Sequence, residues 1–174
     1  MFVILDLETT GLDPENCDVL EIGLLACSSN FERGVQLERV VHYTPGPHVN
    51  QFVLDMHKKN GLWSACAESS KTLTEVSEDV LEFLNKLGPS KTTPLTGSTI
   101  SFDRGFLKRH LPLVEQWFHY RNIDVSSFRL LAETYGKPIA PKGVELHRSL
   151  SDCVDSASAL EYYVNLFKLR EEIE

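Results

Sequence analysis

A chain of 174 residues, 42% hydrophobic and 24% charged, has the size and composition of one globular domain, residues 1–174. It has no run of about 18 apolar residues, which excludes a membrane-spanning helix; Asp6 and Glu8 fall where a secretory leader would be apolar, so a cytoplasmic protein is expected. The net charge of −8 and the lack of a basic run exclude a track for gripping long nucleic acid, because such tracks neutralise many phosphates.

Val3 to Leu7 is a short apolar run ending in Thr10–Gly11 and reads as a central strand, with a turn at Asp13–Pro14. Val19 to Cys27 and Val35 to Tyr43 read as two more strands joined by a hairpin over Asn30 to Gly34. Thr44 to Pro47 breaks the sheet. A helix is expected from about Val49 to Lys58, then a short helical piece from Gly61. Thr72 with Glu75 spells a capping box, followed by Leu73, Val76, Val80, Leu84 and Leu87 at helical spacing. Gly88–Pro89 stops that helix. Pro94 to Gly97 reads as a strand, with a helix beginning near Phe102. Asn122 to Val125 reads as the last strand, leading into a helix through Glu133. Ser149 opens the final helix, with Leu150, Val154, Ala157, Leu160, Val164 and Phe167 on one face. A β-meander followed by alternating strands and helices predicts an α/β protein: a mixed five-stranded sheet flanked by helices, the layout of the ribonuclease H-like fold. The four cysteines, Cys17, Cys27, Cys66 and Cys153, form no C-x-x-C pair and are expected as packed, reduced thiols.

Asp6 and Glu8 lie two apart on the first strand and so face the same way. Two carboxylates held that close in a half-buried sheet repel each other and are poorly solvated unless a cation neutralises them. Asp103 near the start of one helix and Asp152 in the first turns of another could complete an oxygen cage. Magnesium and manganese prefer such ligands, and two divalent ions roughly 3.5–4 Å apart neutralise both the attacking and leaving oxygens of a phosphodiester. His147, in the loop just before Asp152, has the side chain suited to accept a proton near neutral pH. Taken singly, Asp103 reads as a helix N-cap, Asp152 as a first-turn surface acid and His147 as an ordinary loop histidine. Jointly they point to a metal-dependent phosphodiesterase.

These residues resemble the DEDDh class of 3′–5′ exonucleases, through DLETTGLDP at 6–14, STISFDRGFL at 98–107 and HRSLSDCVDS at 147–156. The block WFHYRNIDVSSFRLLAETY at 117–135 is similar to the matching segment of the oligoribonuclease family, with its HYR-x-x-DVS hallmark. The likeness runs from Val3 to about Phe167. It implies that Asp6, Glu8, Asp103 and Asp152 bind two divalent cations, Mg2+ or Mn2+, and that His147 is the general base. The implied reaction is two-metal-ion hydrolysis of dinucleotides and very short RNA to 5′-mononucleotides by a homodimer.

Carried over by position, Leu12 is the wedge beside the bases, Phe52 the stacking platform and His57 a contact near the substrate's 3′ end. Thr99 takes the place of a phosphate-capping serine; Tyr120, Arg121 and Ser126 match the HYR-x-x-DVS positions, and the resemblance implies that Arg121 and Ser126 contact phosphate from a second subunit. Thr9, Phe52 and Thr99 depart from the family's usual methionine, tryptophan and serine, which bears on length preference more than on catalysis. Trp117, Phe118 and Tyr120 also read as core aromatics, Arg121 as the partner of a nearby acid, and Phe52 as a core side chain. Two other functions stay open. The spelling DLETTG also suits a DEDDh enzyme acting on longer RNA or single-stranded DNA ends, and the acidic surface suits a non-catalytic module binding nucleotides or a protein.

Overall fold

The computed structural model describes residues 1–141, 143 and 146–169, so 170–174 of the expected domain lie outside the described residues. Strands β1 (Phe2–Thr9), β2 (Val19–Cys27), β3 (Arg33–Val40), β4 (Pro94–Gly97) and β5 (His119–Asp124) form one sheet in the order β3-β2-β1-β4-β5. The first three pair antiparallel as a meander; β4 joins β1 and β5 joins β4 in parallel. This is the mixed five-stranded sheet that the element order predicts.

The central position of β1 follows from its sequence. Val3, Leu5 and Leu7 face a core built with Val76, Val80 and Leu84 of α3 (Leu73–Leu87) and Phe106 and Leu107 of α4 (Ser101–His110). Ile4 faces the other way, onto Cys153 and Ala157 of the last helix, α7 (Ser149–Leu166). A strand covered on both faces reads as a continuous apolar run. Alternation then places Asp6 and Glu8 on the α7 side, at the end of the strand.

Helix α3 has its capping box: Glu75 N–H donates to the Thr72 hydroxyl, and Thr72 N–H donates to Glu75 Oε2 at 2.8 Å. Helices α1 (Gln51–Lys59) and α2 (Leu62–Glu68) meet at Gly61, whose φ of 79° is left-handed. Among the described residues, no helix is long and apolar enough to cross a membrane. Cys27, Cys66 and Cys153 are buried, Cys17 is half-buried, and all four are free thiols.

Several expected boundaries shift. Strand β3 begins at Arg33, paired with Cys27, and ends at Val40 rather than Tyr43. Beyond it, His42 and Tyr43 give their N–H groups to the carbonyls of Lys71 and Cys66, which pulls the chain off the sheet. Strand β5 runs from His119 to Asp124, not Asn122 to Val125. Asp124 leaves the strand to accept the Ser126 N–H as N-cap of α6 (Val125–Thr134). A short helix, α5 (Pro112–Trp117), was not among the expected elements; Pro112 breaks α4 and then serves as a helix-opening residue.

The largest correction is the buried face of α7. Ser149, Cys153, Ser156, Ala157, Leu160 and Tyr163 are buried, whereas Leu150 and Val154 are only half-buried. Small polar side chains line the face because the helix start lies almost on β2. A Cβ on Gly23 would come within 2.5 Å of the Ser149 carbonyl carbon and 2.6 Å of the Leu150 nitrogen. Gly23→Ala is therefore expected to destabilise the protein by about 1–3 kcal/mol, the usual cost of overpacking, read as a lowered melting temperature. An unchanged melting temperature would mean that the helix sits farther from the strand.

Candidate active site

Strand β1 carries Asp6 and Glu8 to the edge of the sheet where its parallel neighbour β4 also ends. The two strands pair only through Val3–Leu95 and Ile4–Thr96. Further along they part, and the Leu7 N–H is left to donate to Asp103 Oδ1 at 3.0 Å. Asp103 is thus no N-cap of α4: it is 3% exposed and ties the helix's first turn to β1. Asp152, in the first turn of α7, and His147, just ahead of that helix, approach from the other side. Ligand atoms of Glu8, His147 and Asp152 lie within 4.8 Å of one another. Asp6 lines the same cavity as His147 and Asp152.

These carboxyls are held in an unfavourable state. Burial, then the charges of Asp103, Glu8, Asp152 and Glu21, keep Asp6 well above the ordinary carboxyl range. Glu8 is pushed up to about 8 by burial and by Asp152 and Glu21, against the opposing pull of Arg148. Asp103 is pushed up to about 7, mainly by burial, although backbone N–H groups resist. Such a set of clustered, desolvated oxygens has the donor chemistry of a hard divalent cation, which would replace the shared protons. Asp6, Glu8, Asp103 and Asp152 therefore fit that group, with His147 beside it.

The cavity, about 520 Å³, runs from Asp6, His147 and Asp152 to Thr99, Ser126 and Arg129. At that far end Thr99 has a left-handed φ of 53°. Its N–H donates to Asp124 Oδ1 at 3.0 Å and to the Ser126 hydroxyl at 2.9 Å, and the two hydroxyls are 3.0 Å apart. With a cation bound by the acids, they and the hydroxyls and Arg129 guanidinium that line the same cavity would suit a phosphate-bearing ligand.

Other expected contacts are placed variously. Phe52 is 76% exposed and so is not a core side chain; it flanks a second recess, of about 490 Å³, shared with Met56, Lys59, Asn60, Leu146 and His147. Leu12, 84% exposed, projects from the loop after β1. His57 is corrected: at 0% exposure it is closed to a substrate. It packs edge-on against Trp63, with Nε2 3.2 Å from the Thr9 carbonyl and 3.8 Å from Glu8 Oε2, and burial lowers its pKa. Thr9 is likewise buried, its hydroxyl donating to the Gly11 carbonyl.

Trp117 and Phe118 are core aromatics, but Tyr120 is 73% exposed, with the Arg121 guanidinium 5.3 Å from its ring centroid. Neither Tyr120 nor Arg121 lines the cavity that holds the acids, whereas Ser126, expected from a second subunit, lines the cavity of its own chain, where its hydroxyl meets Thr99. Glu21 was missed. It sits opposite Glu8 on β2, fully buried, and the signal was available as one acid inside the apolar run VLEIGLL.

The exonuclease family model matches residues 3–160. The oligoribonuclease of Neisseria meningitidis is 32% identical over 164 residues, 91% of this chain and 88% of that protein. The oligoribonuclease of Corynebacterium glutamicum is 35% identical over 176 residues, 97% of this chain and 80% of its own. The chain belongs to the oligoribonuclease family of exonucleases. Solved structures agree on the fold. Escherichia coli Exonuclease I, bound to an oligonucleotide, superposes with a TM-score of 0.70 at 14% identity, over 97% of this chain. The chain spans only 42% of that larger protein. The RNase domain of yeast Pop2 gives 0.61 at 16% identity, over 97% of this chain and 76% of the domain. The sheet is thus the ribonuclease H-like core of an oligoribonuclease-family exonuclease.

Proposed function

We propose that this exonuclease removes nucleotides from the 3′ end of dinucleotides and very short RNA, releasing 5′-mononucleotides. The observation that carries the reading is the meeting of Glu8, His147 and Asp152, with Asp6, His147 and Asp152 lining a cavity that the hydrogen-bonded Thr99 and Ser126 also line. A cavity of about 520 Å³ is of the size that takes a small ligand. The charge of −8 disfavours long polyanions.

In this reading Asp6, Glu8, Asp103 and Asp152 hold two divalent ions, Mg2+ or Mn2+. When bound, these supply Lewis-acid stabilisation of charge on the scissile phosphate. Thr99 and Ser126 donate hydroxyl hydrogen bonds to the substrate's other phosphate and fix its register. Phe52 and Leu12, both exposed, offer an aromatic face and an apolar edge to the bases. A ring nitrogen of His147 takes the proton of the attacking water; the new oxygen–phosphorus bond forms as the bond to the 3′-oxygen of the preceding nucleotide breaks. The exposed Tyr120–Arg121 pair on edge strand β5 serves the cavity of a second copy, so the working unit is a homodimer. The free thiols suit a reducing, cytoplasmic setting.

Turnover measured against RNA length tests the reading. The expected profile peaks at two residues and falls steeply by about five to ten, in line with the size of the cavity. A profile rising with length, or favouring single-stranded DNA, would identify an enzyme of longer ends. Tight dinucleotide binding without product would identify a binding module.

A further inference from the structure

His147 reaches the acids through an unusual backbone. Its φ of 48° lies in the left-handed region, which a histidine enters only when its surroundings hold it there. The side chain of Asn60, the C-cap of α1, supplies one restraint. Its Nδ2 donates to the carbonyls of both Leu146, at 3.3 Å, and His147, at 2.5 Å. Its Oδ1 accepts the Leu62 N–H at 3.0 Å, so the amide's orientation is fixed by its own bonds and both donor hydrogens face the histidine turn. On the other flank, Arg148 forks onto the fully buried Glu21, with Nε 3.0 Å from Oε1 and 3.1 Å from Oε2. The Ser149 N–H reaches the same carboxylate at 2.9 Å.

The residue after His147 is thereby locked to β2, while among the described residues the side-chain hydrogen bond to the His147 backbone falls on its carbonyl. That carbonyl's side-chain partner comes from a helix 87 residues away in sequence.

We propose that Asn60 is a positioning residue for His147. Its amide holds the left-handed turn that presents the imidazole to Glu8 and Asp152, and without it the histidine leaves the reacting geometry while the fold persists. This rests on the hydrolytic reading above for its kinetic consequence, but not for its structural one. Asn60 also stands in the recess shared by Phe52 and His147, where it links the base-facing wall to the proton acceptor.

Asn60→Asp keeps the acceptor for the Leu62 N–H and replaces the Nδ2 donor with a carboxylate oxygen, which repels the Leu146 and His147 carbonyls instead of holding them. On a 5′-phosphorylated dinucleotide, kcat is expected to fall at least tenfold, with KM within twofold of wild type and little change in melting temperature. In a His147→Ala background, the same substitution is expected to cost nothing further, since both changes remove one function. A second readout needs neither metal nor turnover. The His147 ring proton resonance, assigned by its loss in His147→Gln, is expected to shift and broaden in Asn60→Asp protein and also in Asn60→Ala protein, which adds no charge. An unchanged resonance, or a full additional loss in the His147→Ala background, would overturn the assignment. A wild type inert on short RNA would sink the hydrolytic reading alone, because the resonance still reports whether Asn60 holds the ring.

Discussion

Asparagine in place of Asp6 is expected to remove nearly all hydrolysis of dinucleotides and, at the same time, to stabilise the metal-free protein. Asp6 lies among Glu8, Asp103, Asp152 and Glu21, and burial and their charges oppose its ionisation. A neutral amide of the same shape removes one charge from that crowd. Above neutral pH, metal-free Asp6→Asn should melt above wild type by about 2–4 °C, the shift given by roughly 1 kcal/mol in a chain of this size. Removing one preorganised hydrogen-bond donor from an oxyanion hole costs on the order of 10²–10³ in kcat, and loss of a direct metal ligand belongs at or beyond the upper end. Calorimetry and single-turnover assays on one preparation measure both. A variant that melts lower than wild type without metal would show that Asp6 is satisfied by the protein alone.

Metal and pH should act on stability with opposite sign. In an unfolded chain these carboxyls titrate near about 4. Folded, Asp103 holds its proton to about 7 and Glu8 to about 8. Across that window the native state binds more protons than the unfolded one, so stability falls as pH rises. The contribution is complete below the unfolded values and gone above about 8. Metal-free protein should therefore melt several degrees lower at pH 8.5 than at pH 5.5. Mg2+ or Mn2+ competes with those protons, so its stabilising effect should be largest at the alkaline end. At a hundredfold excess over Kd it amounts to about 2.7 kcal/mol. Removal by a chelator should abolish turnover and restore the metal-free melting curve. A melting temperature that climbs with pH in chelator, or that ignores both ions, would contradict an acid cage awaiting cations.

The parts of this design visible in sequence are those with a local signature. Strand β1 stands out because acids interrupt an apolar run, and α3 because Thr72 and Glu75 spell its start. Asp6 and Glu8 could be named for the same reason, whereas Asp152 and His147 stand out only as members of a joint pattern; the structure puts His147 and Asp152 beside Glu8 and in the cavity lined by Asp6. Other features depend on what arrives from elsewhere. The buried face of α7 is hidden from hydrophobic patterning because closeness to Gly23 selects serine and cysteine, which read as polar or neutral. His57 has the residue type of a substrate contact, and only the packing of Trp63 and the Thr9 carbonyl shows it closed off. The role of Asp103 toward Leu7 follows from the parting of β1 and β4, which no residue announces. Asn60 looks like any residue ending a helix until its amide is seen to reach across to His147.

The acids come from opposite ends of the polypeptide: Asp6 and Glu8 on the first strand, Asp152 on the last helix, joined only when α7 lies down on β1 and β2. During synthesis the early strands and their helices would leave the ribosome long before their charges find company. An incomplete chain that lacks α7 also lacks Asp152 and His147 beside Glu8. The acid cluster is thus assembled only after the last helix has been made, an order set by the succession of secondary structure alone.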